Sequence, residues 1–133
     1  MSITVAIVDG PLGAGNAQLA DGAGAVICFE GLVRPMEDGE PIDALTYETY
    51  DPMAQQTLRQ LACQVHEQFA LLAIHVMHSR GRVPVGACSF RLQVAARHRR
   101  EGIAALSHFI DTMKQDVPIW KRPVYRLPPE ERS

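Results

Sequence analysis

Lysine is nearly missing from this chain: of its 13 lysines and arginines, only Lys114 and Lys121 are lysine. The formal net charge is −2, which argues against a general nucleic-acid binder, whose footprint is a basic surface. Cysteine is scarce too. Cys28, Cys63 and Cys88 are odd in number and no two have C-x-x-C spacing, so neither a disulfide framework nor a cysteine zinc site is signalled. Reduced thiols in a cytoplasmic protein are the reading that remains. No stretch approaches the ~20 apolar residues of a membrane span. Met1 to Val5 holds no basic residue and Asp9 breaks the apolar run, which argues against a signal peptide. The five histidines form no metal-like i, i+4 pattern with a carboxylate, so no bound metal is expected. No Gly-x-Ser-x-Gly elbow exists, and Ser89 and Ser107 lack a nucleophile's context. Gly10, Gly13 and Gly15 do not have the spacing of a phosphate loop.

What is present is the balance of one globular domain over 1–133, with 47% hydrophobic and 21% charged residues. Residues 3–8 are β-branched and end at Asp9-Gly10-Pro11, which predicts a strand. Residues 12–23 are small and Gly/Ala-rich, a loop or a short helix. Two further strands, 24–33 and 42–50, flank a turn-rich loop at 34–41, and this arrangement predicts a β-hairpin. Asp51-Pro52 predicts a helix start, with Asp as cap and Pro at the first helical position. Ala54, Leu58, Leu61, Ala62, Val65 and Phe69 then recur at helical spacing. Residues 71–77 and 89–95 read as strands, separated by a turn at Arg80-Gly81-Arg82 and an edge or bulge at Pro84. A second helix over 98–115 has Ile103, Leu106, Phe109, Ile110 and Met113 as its apolar face, and Val117-Pro118 stops it. Residues 119–125 form a last strand, and the polar tail 126–133 is expected to fray. The order β β β α β β α β predicts an α+β domain, a mostly antiparallel sheet with two main helices packed on it.

Three constellations carry possible chemistry. Arg97-His98-Arg99-Arg100 opens the second helix, where free N–H groups already favour anions and arginine adds forked donors. Cations oppose the helix dipole there, so helix stability does not ask for them. Lys114 ends the same helix and Lys121 lies beyond a Pro turn, beside the single tryptophan, Trp120. If the chain folds back, both ammonium groups face one pocket, and cations paired in that way tune a lysine to act as base or nucleophile. Arg34 leaves a strand end toward the turn-rich loop; alone it reads as a surface charge.

Taken together, these motifs resemble the catalytic (large) subunit family of molybdopterin synthase. The resemblance runs through Phe29-Glu30-Gly31-x-Val33-Arg34, Leu45-x-Tyr47-Glu48-x-Tyr50-x-x-Met53-Ala54, His98-Arg99 and Lys114-x-x-x-Pro118-Ile119-Trp120-Lys121-Arg122. It spans about residues 24–122, and the lysine element is its most specific part. The resemblance implies a hammerhead-like α+β fold with a small extra β subdomain. It implies sulfur transfer from the C-terminal Gly-Gly thiocarboxylate of a small ubiquitin-like partner to cyclic pyranopterin monophosphate, forming the dithiolene of molybdopterin, with no further cofactor. It implies a homodimer core carrying one small subunit at each end, a heterotetramer. Lys114 and Lys121 match the family's active-site lysines; Arg34, His98 and Arg99 match substrate-binding residues, and Arg122, which extends the second lysine segment, is expected to bind substrate with them. Pro123 departs from the family, which usually has Glu there. The rival reading is a non-enzymatic anion-binding adaptor that docks a ubiquitin-like protein; an adaptor would tolerate loss of the two lysines. An RNA-contacting protein fares worst, because no aromatic-rich strand accompanies the basic run.

Overall fold

A computed structural model of the chain describes residues 3–15 and 20–127. The elements are β1 (Ile3–Asp9), β2 (Ala25–Leu32), β3 (Met36–Glu37), β4 (Glu40–Thr49), α1 (Met53–Gln68), β5 (Ala73–Pro84), β6 (Cys88–Ala96), α2 (Arg99–Asp116) and β7 (Ile119–Tyr125). This is the expected order with one added two-residue strand. The loop-or-helix segment expected over 12–23 falls partly, at 16–19, outside the described residues. So does the expected tail from 128 onward. The tail's first residue is held: the Arg126 amide donates to the Pro41 carbonyl at 3.0 Å.

The pairing corrects one expectation. The segments at 24–33 and 42–50 do not form a hairpin with each other. β2 pairs antiparallel with β6, and β4 pairs with β3, β5 and β7. The hairpin inside the loop is the smaller β3–β4 one, closed by Asp38-Gly39, both at positive φ, 52° and 78°. Asp-Gly with two left-handed residues is the turn whose twist matches paired strands.

β5 is the other correction. Arg80-Gly81-Arg82 is not a turn that ends a strand; the strand runs through it for 12 residues. Gly81, at φ +87°, bends it in the only backbone region that asks for glycine. Before the bend, β5 lies between β1 (parallel) and β6 (antiparallel); after it, residues Gly81–Pro84 pair with β4. One strand thus joins the main sheet to a smaller β group made of β3, β4 and β7. Each part has its own apolar cluster, the small one built on Val33, Ile42, Leu45 and Val83.

The two helices cover the main sheet. In α1 the buried residues are Ala54, Leu58, Leu61, Ala62 and Val65, as the periodicity predicts. Asp51 does not cap it. The position before the helix is Pro52, with no side-chain cap, and the Asp51 carboxylate instead accepts from Thr49 Oγ1 at 2.9 Å and from Arg80 at 2.6 Å. In α2 the buried stripe is Gly102, Ala105, Phe109 and Met113, while Ile103 is 54% exposed. Small residues let this helix approach the sheet: a methyl on Gly102 would stand 2.6 Å from Ile27 Cδ1. Leu106 and Ile110 pack at the margin of the core.

Candidate functional site

The last turn of α2 and the junction of the two β groups enclose a cavity of about 460 Å³. Its apolar wall includes Phe29, Leu45, Phe90, Ile110, Met113 and Ile119. Lys114, Lys121 and Arg34 line it as cations, with Glu37, Tyr47, His78 and Ser89 as the other polar groups. Lys114 and Lys121, seven residues apart with a proline turn between, therefore share one cavity, as the fold-back reading requires.

Strand alternation decides which residues of β7 enter. Lys121 lies opposite Tyr47 in the β4–β7 ladder, and Arg122 lies opposite Thr46. Cross-strand partners share a face and neighbours in sequence do not. Lys121 thus faces the cavity with Tyr47, whereas Arg122 points to the other face, where it ion-pairs with Glu48. Arg122, expected among the substrate-binding residues, therefore stands outside this cavity of its own chain. The near charge on Lys121 is also not a second ammonium group but the Glu37 carboxylate, at 3.1 Å. This pair ties the β3–β4 hairpin to β7 across the mouth of the cavity.

His98 and Arg99 are elsewhere. They stand exposed at the start of α2, with His98 in extended geometry at the cap position. Fifteen residues of helix separate Arg99 from Lys114, or about 22 Å at 1.5 Å per residue. Within one chain they do not meet the cavity.

Three residues of the cavity, Tyr47, His78 and Ser89, were not among the expected site residues. The Tyr47 hydroxyl and Ser89 Oγ are hydrogen-bonded at 2.8 Å. His78 is 6% exposed, its ring edge-on to Tyr47 at 5.1 Å and tilted on Phe90 at 5.7 Å. Its Nδ1 donates to the Ser79 carbonyl at 2.7 Å. Burial pushes the His78 pKa below its ordinary value, and the bond to Ser79 offsets only part of this. Three separate strands supply these side chains, so no spacing along the sequence announces them. The one usable signal was Tyr47 within the family-like run Leu45 to Ala54.

This burial makes stability depend on pH. Above the ordinary histidine value of 6.5, both folded and unfolded rings are neutral and His78 has no effect on the pH dependence. Below it, the unfolded chain takes up a proton that the folded ring refuses, so stability falls as pH falls until the folded ring also protonates. His75, lowered mainly by burial as well, adds in the same direction. The urea midpoint should therefore drop between about pH 6.5 and pH 5.5, before carboxylates titrate. A His78→Phe variant should show a shallower drop, and an equal slope in both proteins would refute this account.

Among the described residues, no helix is long and apolar enough to cross a membrane. Residues 9–116 match the family described as MoaE protein. The chain is 38% identical over 100 residues to the molybdopterin synthase catalytic subunit of Nostoc sp., covering 74% of this chain and 61% of that protein. It is 36% identical over 102 residues to the human molybdopterin synthase catalytic subunit, covering 77% and 54%. The same-named protein of Thermoplasma volcanium is 37% identical over 102 residues, covering 77% and 74%. The chain thus spans between about half and three fifths of the first two relatives' length. The crystal structure of molybdopterin synthase from Staphylococcus aureus superposes with a TM-score of 0.76 at 29% identity, over 81% of this chain and 79% of that one. A complex of subunits 1 and 2 of the molybdopterin-converting factor from Helicobacter pylori has the same fold, with a TM-score of 0.70 at 23% identity over 97% and 92%. With the family matched over most of its length and its relatives alike in sequence and fold, the chain belongs to the MoaE protein family.

Proposed function

We propose that this chain is the catalytic subunit of a molybdopterin synthase. It moves sulfur from the C-terminal thiocarboxylate of a small ubiquitin-like subunit onto cyclic pyranopterin monophosphate. The observation that carries this reading is the meeting of Lys114, Lys121 and Arg34 on one apolar-walled cavity. Substrate phosphate and partner thiocarboxylate are both anions. Cations on an apolar-walled cleft bind anions and stabilise charge that develops during acyl-sulfur chemistry. Glu37 on Lys121 is an internal stand-in for such an anion, holding that ammonium group at the cavity mouth until a ligand competes for it.

His98 and Arg99 join this site from a second copy of the chain. Their separation from Lys114 along α2 forbids one chain from supplying both. β2 is an edge strand with Val26, Phe29 and Leu32 exposed, which supports pairing with another copy. Two chains with two small subunits give the heterotetramer. Free thiols at Cys28, Cys63 and Cys88 suit a reducing compartment, the cytoplasm.

The test is product formation from purified chain, thiocarboxylated partner and cyclic pyranopterin monophosphate. Arg99→Glu should weaken substrate binding about ten- to a hundredfold, the worth of one charge-assisted hydrogen bond of roughly 1.5–3 kcal/mol. Mixing the Lys114→Ala and Arg99→Glu chains should restore activity, because half of the sites in a mixed dimer hold both parent residues. No restoration would show that Lys114 and Arg99 are not shared between two chains, and a monomer in sedimentation at micromolar concentration would defeat the shared-site reading as well.

A further inference from the structure

Lys114, Lys121 and Arg34 are cations and, while charged, offer hydrogen-bond donors only. Glu37 is engaged by Lys121, and the Tyr47 hydroxyl is engaged by Ser89. Yet the reaction proposed above needs a proton acceptor. A partner that arrives as a thiocarboxylate and leaves as a carboxylate has exchanged sulfur for oxygen, and water is the source of that oxygen.

His78 has the geometry for this task. The Ser79 carbonyl can only accept, so the hydrogen of that 2.7 Å bond sits on Nδ1. A neutral ring then presents Nε2 as a bare lone pair, and among the described residues no donor reaches it. The ring cannot swing away: Tyr47 and Phe90 pack on it and the Nδ1 bond fixes its plane. A base oriented by a carbonyl at its far nitrogen is the arrangement that activates nucleophiles elsewhere. Burial favours the neutral ring. The charged groups that line the same cavity are the cations Arg34 after β2, Lys114 on α2 and Lys121 on β7. Among the described residues, the one carboxylate lining the cavity, Glu37 on β3, is paired with Lys121.

Resting on the sulfur-transfer reading, we infer that His78 Nε2 is the general base for the water that frees the partner from the sulfur it has delivered. Once the partner's sulfur is bonded to a substrate carbon, the two are joined as a thioester. Water oxygen bonds to the acyl carbon while Nε2 takes one water proton. The C–S bond breaks, and its electron pair leaves with sulfur as a substrate thiolate. The acyl group departs as a carboxylic acid, which ionises to solvent, and the imidazolium returns its proton to solvent or thiolate. Nothing is oxidised or reduced, and lysine ammonium groups beside the cavity stabilise the oxyanion and the thiolate.

The experiment is a single turnover of the full complex with thiocarboxylated partner and cyclic pyranopterin monophosphate, followed by intact-mass spectrometry. His78→Gln and His78→Asn should slow product release about 10²-fold, the usual worth of a general base. The partner–substrate thioester should accumulate in both, substrate KM should stay near the parent's, and added imidazole should restore part of the rate. In the parent, thioester discharge should fall about tenfold per pH unit on the acid side, a readout that needs no variant. Parent-like rates in a folded variant, a slow variant without accumulated thioester, or discharge independent of pH would each overturn the assignment. If the parent itself forms no product, the sulfur-transfer reading fails instead.

Discussion

Lys114→Ala is expected to cut conversion of precursor to molybdopterin by about 10²- to 10⁴-fold while the chain stays folded and still binds its thiocarboxylated partner. The ammonium group is exposed on the last turn of α2, where the helix needs only the buried Gly102, Ala105, Phe109 and Met113 to stay on the sheet. A cation at a helix C-terminus contributes roughly 0.3–1 kcal/mol through the dipole, so the melting temperature should hardly move. Rate and stability effects therefore separate by orders of magnitude, which is what distinguishes a reacting group from a surface one. Lys121→Ala should be of similar severity. Arg122, its neighbour in sequence, cannot replace the lost charge, because it faces the other side of the sheet and is held by Glu48. Removing Lys121 also leaves Glu37 unpaired at the cavity mouth, where its negative charge repels anionic ligands. The measurement is product formation with purified partner and precursor beside a melting curve. If both lysine variants turned over at the parent rate, the two lysines would not be reacting groups, which is the tolerance that the adaptor reading predicts.

Local patterns carried much of this fold into the sequence. Ala54, Leu58, Leu61, Ala62 and Val65 announced both α1 and the face it buries, because a 3.6-residue period needs no distant partner. Ile103 misled for a physical reason. Hydrophobicity names a face, but a helix pressed on a sheet selects by size, and Gly102 and Ala105 took the buried stripe. The partner of β2 was equally hidden, since β6 arrives some sixty residues later, whereas the near segment 42–50 looked like the natural hairpin mate. Gly81 between two arginines looked like a turn, and only the pairing on both sides of it reveals a bent strand. The same non-local registers explain the site. Lys114 and Lys121 stood out because lysine is rare and the helix stops between them. Tyr47, His78 and Ser89 come together only through sheet registers, with His78 opposite Phe90 and Tyr47 opposite both Gly81 and Lys121.

Phe109→Ala should be the most damaging single truncation in the core, at about 3–5 kcal/mol. Phe109 is fully buried and stacks on Phe90 with ring centroids 6.5 Å apart. Its removal loses the transfer energy of a ring and leaves a hole under α2. The backbone cannot collapse freely into that hole, because Gly102 and Ala105 already hold the helix close to the sheet. Against the roughly 5–15 kcal/mol by which domains are stable, this is a large fraction, and the melting temperature should fall on the order of 10 °C. Phe109→Leu keeps most of the buried area and should fall between parent and alanine variant. A second consequence reaches the site. Phe90 lies between Phe109 and His78, so the core ring backs the ring that holds His78 in place. At temperatures where the alanine variant is still folded, turnover should drop as Phe90 gains freedom, and the leucine variant should retain more activity. Urea unfolding gives the first quantity and product formation at matched folded fraction gives the second. A stability loss below about 1 kcal/mol would mean that α2 settles into the hole, and the close-packed account of this core would be wrong.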